Sequence, residues 1–182
     1  MIRHENIQRI LVLVAFVVFA AGTRAMPLFI PHIWNFTAVG ALAVFAGAQF
    51  KDKRLALIVP LVAMALSDLF LGNGFNMVVY AGFIAMVICG MVIAKNISVF
   101  NVGCASIAGA VIFFLITNLA VVYSDYSLYP HNINGIIQSY IMGLPFLRNM
   151  IIGDAIYGII LFGGFYLLEK RYPKLSLNYS KS

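Results

Sequence analysis

An all-α integral membrane protein is the fold class this sequence predicts, and three observations carry it. Hydrophobic residues fill 63% of the 182 positions, charged residues only 10%, and mean hydropathy is +0.97. A water-soluble domain carries about 25% charged residues, so an ordinary soluble protein is excluded. The apolar residues then fall into six runs, 10–23, 36–50, 55–71, 77–94, 99–123 and 150–168, separated by recognisable breaks. Finally, the charges gather in alternate breaks. Twelve Lys and Arg against six Asp and Glu give a net charge of +6. In so sparsely charged a chain this excess belongs to loops at a membrane surface, and no nucleic-acid partner is expected.

A bilayer core about 30 Å thick needs roughly 20 helical residues, fewer where a segment is flanked by anchors. The breaks have a local cause in each case. Pro27, Pro31 and Trp34 interrupt 25–35, Lys51-Asp52-Lys53-Arg54 is a tight charged turn, Gly72-Asn73-Gly74 is a turn signature, and Lys95-Asn96 closes the fourth run. With six spans and a cytoplasmic amino terminus, Arg3, Arg9, Lys51, Lys53, Arg54, Lys95, Lys170, Arg171, Lys174 and Lys181 lie inside. Only Arg24 and Arg148 lie outside, which is the asymmetry the positive-inside rule expects. The reading is a single polytopic domain over 1–182, with both termini cytoplasmic and the first helix retained although it resembles a secretory signal.

The stretch 132–144 is read as an outer interfacial helix. Its apolar positions Ile133, Ile136, Ile137, Tyr140, Ile141 and Leu144 form one stripe, and the residues from 132 to 145 rise about 21 Å as a helix, short for a span. The isoleucines are expected to rest on the bundle, with Asn134 or Gln138 facing solvent or ligand. Gly135, Gly143 and Pro145 offer hinges if this helix covers a site. Cys89 and Cys104 sit inside apolar runs and read as small buried residues.

An ionisable group within a span is a functional hypothesis because burying it in hydrocarbon is costly. Asp68 and Asp154 are the two carboxylates so placed. Asp68 lies about one turn below the outer surface and Asp154 about 9 Å below it. Arg24, Trp34, Asn35, Asn118, Arg148 and Asn149 fall at the same end, so with the two aspartates they make the candidate wall of an outward-facing pocket for a small solute. The bland reading is that Arg24 and Arg148 neutralise the aspartates in structural pairs, with Asn118 as a further candidate partner. Trp34 is either an interfacial anchor or a ring that stacks on a flat heterocyclic ligand. Neither a nucleophile elbow, a paired-histidine motif nor a phosphate-cradling loop is present, so no enzyme, metal or cofactor is expected.

The run Trp34-Asn35-Phe36-Thr37-Ala38-Val39-Gly40-Ala41-Leu42-Ala43 resembles the start of an uncharacterised bacterial family of membrane transport proteins. So do Leu66-Ser67-Asp68-Leu69-Phe70-Leu71-Gly72, Thr117-Asn118, the stretch 140–145, and Arg148-Asn149 through Gly153-Asp154. That family is similar in size and topology to the substrate-binding S components of energy-coupling-factor (ECF) vitamin transporters. The resemblance implies six helices, an outward pocket closed by loops, uptake of a vitamin or related compound across the bacterial cytoplasmic membrane, and an ECF-type energising module as partner. The first helix carries one small-xxx-small pair, Ala21/Ala25, at its outer end, away from where S components contact that module. The runner-up is a non-transporting accessory or assembly subunit whose buried charges are structural.

Overall fold

The computed structural model describes residues 7–28, 36–72, 74–124 and 127–176. All regular structure among them is helical: α1 (Ile7–Gly22), a 3-10 turn (Thr23–Leu28), α2 (Val39–Gln49), α3 (Lys53–Leu71), α4 (Met77–Ile93), α5 (Val99–Val122) and α6 (Ile133–Gly158). A π-helical stretch, Ile159–Gly163, joins α6 to α7 (Gly164–Arg171), and a 3-10 turn, Pro173–Leu175, follows.

Four helices open on a polar side chain that accepts from the first-turn amides, the usual remedy for the orphan donors there. Asp52 accepts from the Arg54 amide, Asn76 from Val78 and Val79, Ser98 from Asn101, and Asn132 from Asn134 and Gly135. Gly72 ends α3 in the left-handed conformation (φ 69°), which a residue without Cβ adopts at no steric cost. Helix α2 is different. It opens on Ala38, which has no side-chain acceptor to offer.

Ile7–Ala25, Lys53–Leu71, Val99–Val122 and the continuous run Ile133–Arg171 are long and apolar enough to cross a membrane, while Val39–Gln49 and Met77–Ile93 are shorter apolar helices. Large apolar side chains cover the outside: Leu69, Phe70, Val92, Val99 and Phe100 are each more than 70% exposed. Lipid is the solvent in which such a surface is stable. The protein is a membrane-embedded helical bundle.

The bundle is built around α2, which packs against α1, α3, α4, α5 and α6. Every residue from Gly40 to Gln49 is buried. At 11 residues α2 rises only about 16 Å, well short of the hydrocarbon core. Its sequence, VGALAVFAGAQ, is small-residue rich because other backbones must come close. A Cβ on Gly47 would overlap the Val87 carbonyl of α4, and one on Gly90 would overlap the Val44 carbonyl of α2. Phe45 is the large exception. Its ring stacks on Phe16 of α1 at 5.7 Å and meets Phe162 and Phe165 edge-on at 5.2 and 5.7 Å.

Neighbouring helices run up and down. Gly82 faces Phe113, and Gly109 faces Met86, so α4 and α5 are antiparallel. Arg9 near the start of α1 reaches Gln49 at the end of α2 and Glu169 in α7, placing those three ends together. Arg24 after α1 reaches Ser67 and Asp68 near the end of α3, and Asp68 meets Tyr80 near the start of α4, so these gather at the opposite end.

The region after α5 differs from the expectation. Residues 132–144 are no separate helix: α6 continues through Pro145 into the expected last span. The apolar stripe also points the other way. Ile133, Ile137, Ile141 and Leu144 are exposed, whereas Gly135, Ser139 and Gly143 are buried. The face that packs on α5 is the small, polar one: the Ser139 hydroxyl donates to the Asn118 carbonyl (2.9 Å) and the Tyr140 hydroxyl to the Leu115 carbonyl (2.9 Å). In lipid, large apolar residues lie outward and small residues mediate helix contact, so a soluble-protein reading of the stripe inverts the face. This lateral packing also carries the helix past a proline that supplies no backbone donor.

The close α2–α4 crossing yields a test. Gly90→Val should cost about 1–3 kcal/mol of stability through overpacking. Gly103→Val, where a Cβ meets nothing within 4 Å, should leave the thermal midpoint in detergent nearly unchanged. Equal midpoints for the two variants would contradict this packing.

Candidate functional site

The polar residues expected to line one wall divide into separate groups. The first joins the end of α1 to α3 and α4. Arg24, on the 3-10 turn, donates from Nη2 to Asp68 Oδ1 at 2.6 Å and from Nη1 to the Ser67 hydroxyl. The Ser67 hydroxyl donates in turn to the Met64 carbonyl (2.8 Å). The Tyr80 hydroxyl donates to the second Asp68 oxygen at 2.7 Å. Phe75 lies over the Tyr80 ring, with centroids 4.3 Å apart. Both oxygens of Asp68 are therefore occupied, and the Arg24 and Asp68 side chains are only 15% and 10% exposed. Charge-assisted bonds of this length in a low-dielectric setting make a strong, self-contained unit.

The second group is at the start of α2. The Asp154 Oδ1 atom accepts from the Ala41 amide at 2.8 Å, at the third helical position, where a capping oxygen ordinarily bonds. Asp154 thus supplies from α6 the cap that Ala38 lacks. Gly40 makes room for it, since a Cβ there would fall on the carboxyl group. Gly153 lies against Phe36 and Thr37, and the Tyr157 ring sits 5.9 Å from that of Phe36, so one face of α6 closes over the head of α2. Asp154 is 1% exposed, and its Oδ2 atom has no hydrogen-bond partner among the described residues.

The remaining residues lie elsewhere. Asn118 donates from its side chain to the Phe114 carbonyl one turn back (2.9 Å), and its side-chain oxygen lies against Gly143. Arg148 is exposed and, among the described residues, reaches only the neighbouring Asn149 oxygen, at 3.5 Å. It does not pair with Asp154, because six residues along a helix of 3.6 per turn separate the two onto different faces. Asn118 does not pair with Asp154 either. Trp34 and Asn35 lie outside the described residues.

Sequence reasoning gave no role to Tyr80 or Ser67, which sit inside apolar runs; Ser67 entered only as part of the Leu66–Gly72 motif beside Asp68. It also missed a polar cluster at the other end of the bundle. Arg9 is 2% exposed. It donates to Glu169, to the Leu175 carbonyl (2.6 Å), and to the Gln49 carbonyl and side chain (3.0 and 2.9 Å), with its guanidinium carbon 4.9 Å above the Phe165 ring. An arginine immediately before the first apolar run and a glutamate immediately after the last were the available signal.

Fold and site together define a membrane-embedded helical protein in which two largely buried arginines pair with carboxylates of other helices while Asp154 caps α2. The chain belongs to a family of unknown function (DUF6580), which matches residues 4–175. No curated protein and no solved structure matches it.

Asp68→Ala removes one member of a largely buried pair and should destabilise the protein by about 3 kcal/mol. The double variant Arg24→Ala/Asp68→Ala should lose clearly less than the two single losses combined. Strictly additive losses in thermal unfolding would show that the pair is not coupled.

Proposed function

We propose that this chain is a transport protein of the bacterial cytoplasmic membrane, with six spans and both termini inside, that binds a small organic solute from the outer face for uptake. The alternation of helix ends supports the span count, with α2 and α4 completing the up-and-down pattern despite their length. The start of α1 and the ends of α2 and α7 gather at one pole, with Lys51, Lys53, Arg54, Lys170 and Arg171 beside them, in keeping with a cytoplasmic pole.

The observation that carries the binding role is Asp154 Oδ2. A buried acceptor left without a donor costs free energy that a purely structural cap would not need to incur. A solute bearing a hydrogen-bond donor, presented at the head of α2 beside Tyr157, would satisfy it. The resemblance to ECF S components supports a vitamin or related compound as solute and an energising module as partner. A structural accessory subunit is the second reading, favoured by the Arg24–Asp68–Tyr80 unit, in which each Asp68 oxygen already has a partner within the bundle.

Native mass spectrometry of the full chain in detergent tests the proposal. It should find a small organic molecule bound to the wild type and lost from Asp154→Asn. That substitution keeps a capping oxygen for Ala41 but replaces the second acceptor with a donor. Retention of the molecule by Asp154→Asn would overturn the role of Asp154. A stoichiometric protein partner with no small molecule would favour the accessory reading.

A further inference from the structure

At the pole opposite Asp68, a cleft of about 460 Å³ opens between α1 and the chain that leaves α7. Its walls include Val12 and Leu175, and Arg171, Tyr172 and Lys174 also line it. Leu175 is buried and its carbonyl is held by Arg9, so this wall is anchored to the core of the bundle. Glu169, the acidic residue next to this basic stretch, is already engaged by Arg9 and does not neutralise Arg171. Ile7 and Leu11 of α1, beside the cleft-lining Gln8 and Val12, are 64% and 61% exposed and continue the apolar wall outward along the bundle.

We infer that this cleft holds one anionic phospholipid, its phosphate at Arg171 and Lys174 and one acyl chain along Val12, Leu11 and Ile7. The chemistry favours this occupant over others. An apolar slot beside a lipid-facing helix accepts a hydrocarbon chain, and basic groups where the helix emerges select a negative headgroup over a zwitterionic one. Tyr172, half-exposed beside them, has the amphipathic ring that suits the headgroup level. Arg171 presents a planar fork that can bind phosphate oxygens in a bidentate manner. A bound lipid here would brace the Arg9 cluster from outside, tying α1 to the end of α7. This inference rests on membrane embedding and not on the transport reading, so either can fail alone.

The test uses the full-length chain, delipidated in detergent and then exposed to vesicles of phosphatidylglycerol and phosphatidylcholine with identical acyl chains. Native mass spectrometry should find one phosphatidylglycerol retained per chain, with a preference over phosphatidylcholine of about thirtyfold, as two basic groups near a membrane surface supply. Arg171→Gln/Lys174→Gln should bring the ratio close to one, while Lys53→Gln, at the same pole but outside the cleft, should preserve it. Equal retention of the two lipids by the wild type would overturn the inference, as would a preference that survives the double variant. Displacement of the lipid by excess glycerol 3-phosphate would also overturn it, since the cleft would then be a site for soluble anions.

Discussion

A short buried helix cannot complete its own ends, and the rest of this bundle is arranged around that constraint. All but the first residue of α2 are buried, so the amides of its first turn and the carbonyls of its last turn have no water to bond. Both ends are completed from other helices. Asp154 of α6 accepts from Ala41 at the start, and Arg9 of α1 donates to Gln49 at the finish. A guanidinium at a helix C-terminus also opposes the helix dipole, and the low dielectric of the interior strengthens that interaction. Removing either residue would strand backbone groups where nothing else can satisfy them.

Packing around α2 then follows from what its small residues permit. Gly47 and Gly90 let α2 and α4 touch backbone to backbone, while Gly40 leaves the space that the Asp154 carboxyl group occupies. Phe45 supplies the bulk at the other pole, where rings from α1, the π-helical stretch and α7 close on it. The Arg24–Asp68–Tyr80 unit joins α1, α3 and α4 at the outer pole of the proposed topology, and the Arg9 cluster joins α1, α2 and α7 at the inner one. Each pole is thus fastened by a charged cluster that joins three helices. A transporter built this way would have to loosen one of these fastenings to pass a solute.

Much of the architecture was legible in the sequence because hydrophobic runs and their breaks are local signals. The expected runs 55–71, 77–94 and 99–123 lie within a few residues of α3, α4 and α5, and the Gly72 turn falls where the glycine pattern puts it. Arg24 and Asp68, singled out by charge alone, do pair. What was not legible depends on distant partners. Nothing near Ala41 announces that its amide will bond a residue 113 positions away. Arg9 and Glu169 flank the apolar runs and read locally as ordinary end charges, although Arg9 is among the most buried side chains. The stripe over 132–144 was visible, but its direction depends on whether lipid or water is outside, and Ser139 and Gly143 rather than the isoleucines define the packed face.

The central claim, that α2 is a buried hub completed from outside itself, is tested most directly by amide hydrogen exchange in the full-length protein. The amides from Ala41 to Gln49 should exchange more slowly than those at the exposed start of α5. Asp154→Ala should speed exchange in the first turn of α2 by about fivefold, the consequence of losing a cap worth roughly 1 kcal/mol, and leave α5 unchanged. Exchange in α2 that is as fast as at the start of α5, or that does not respond to Asp154→Ala, would contradict the account.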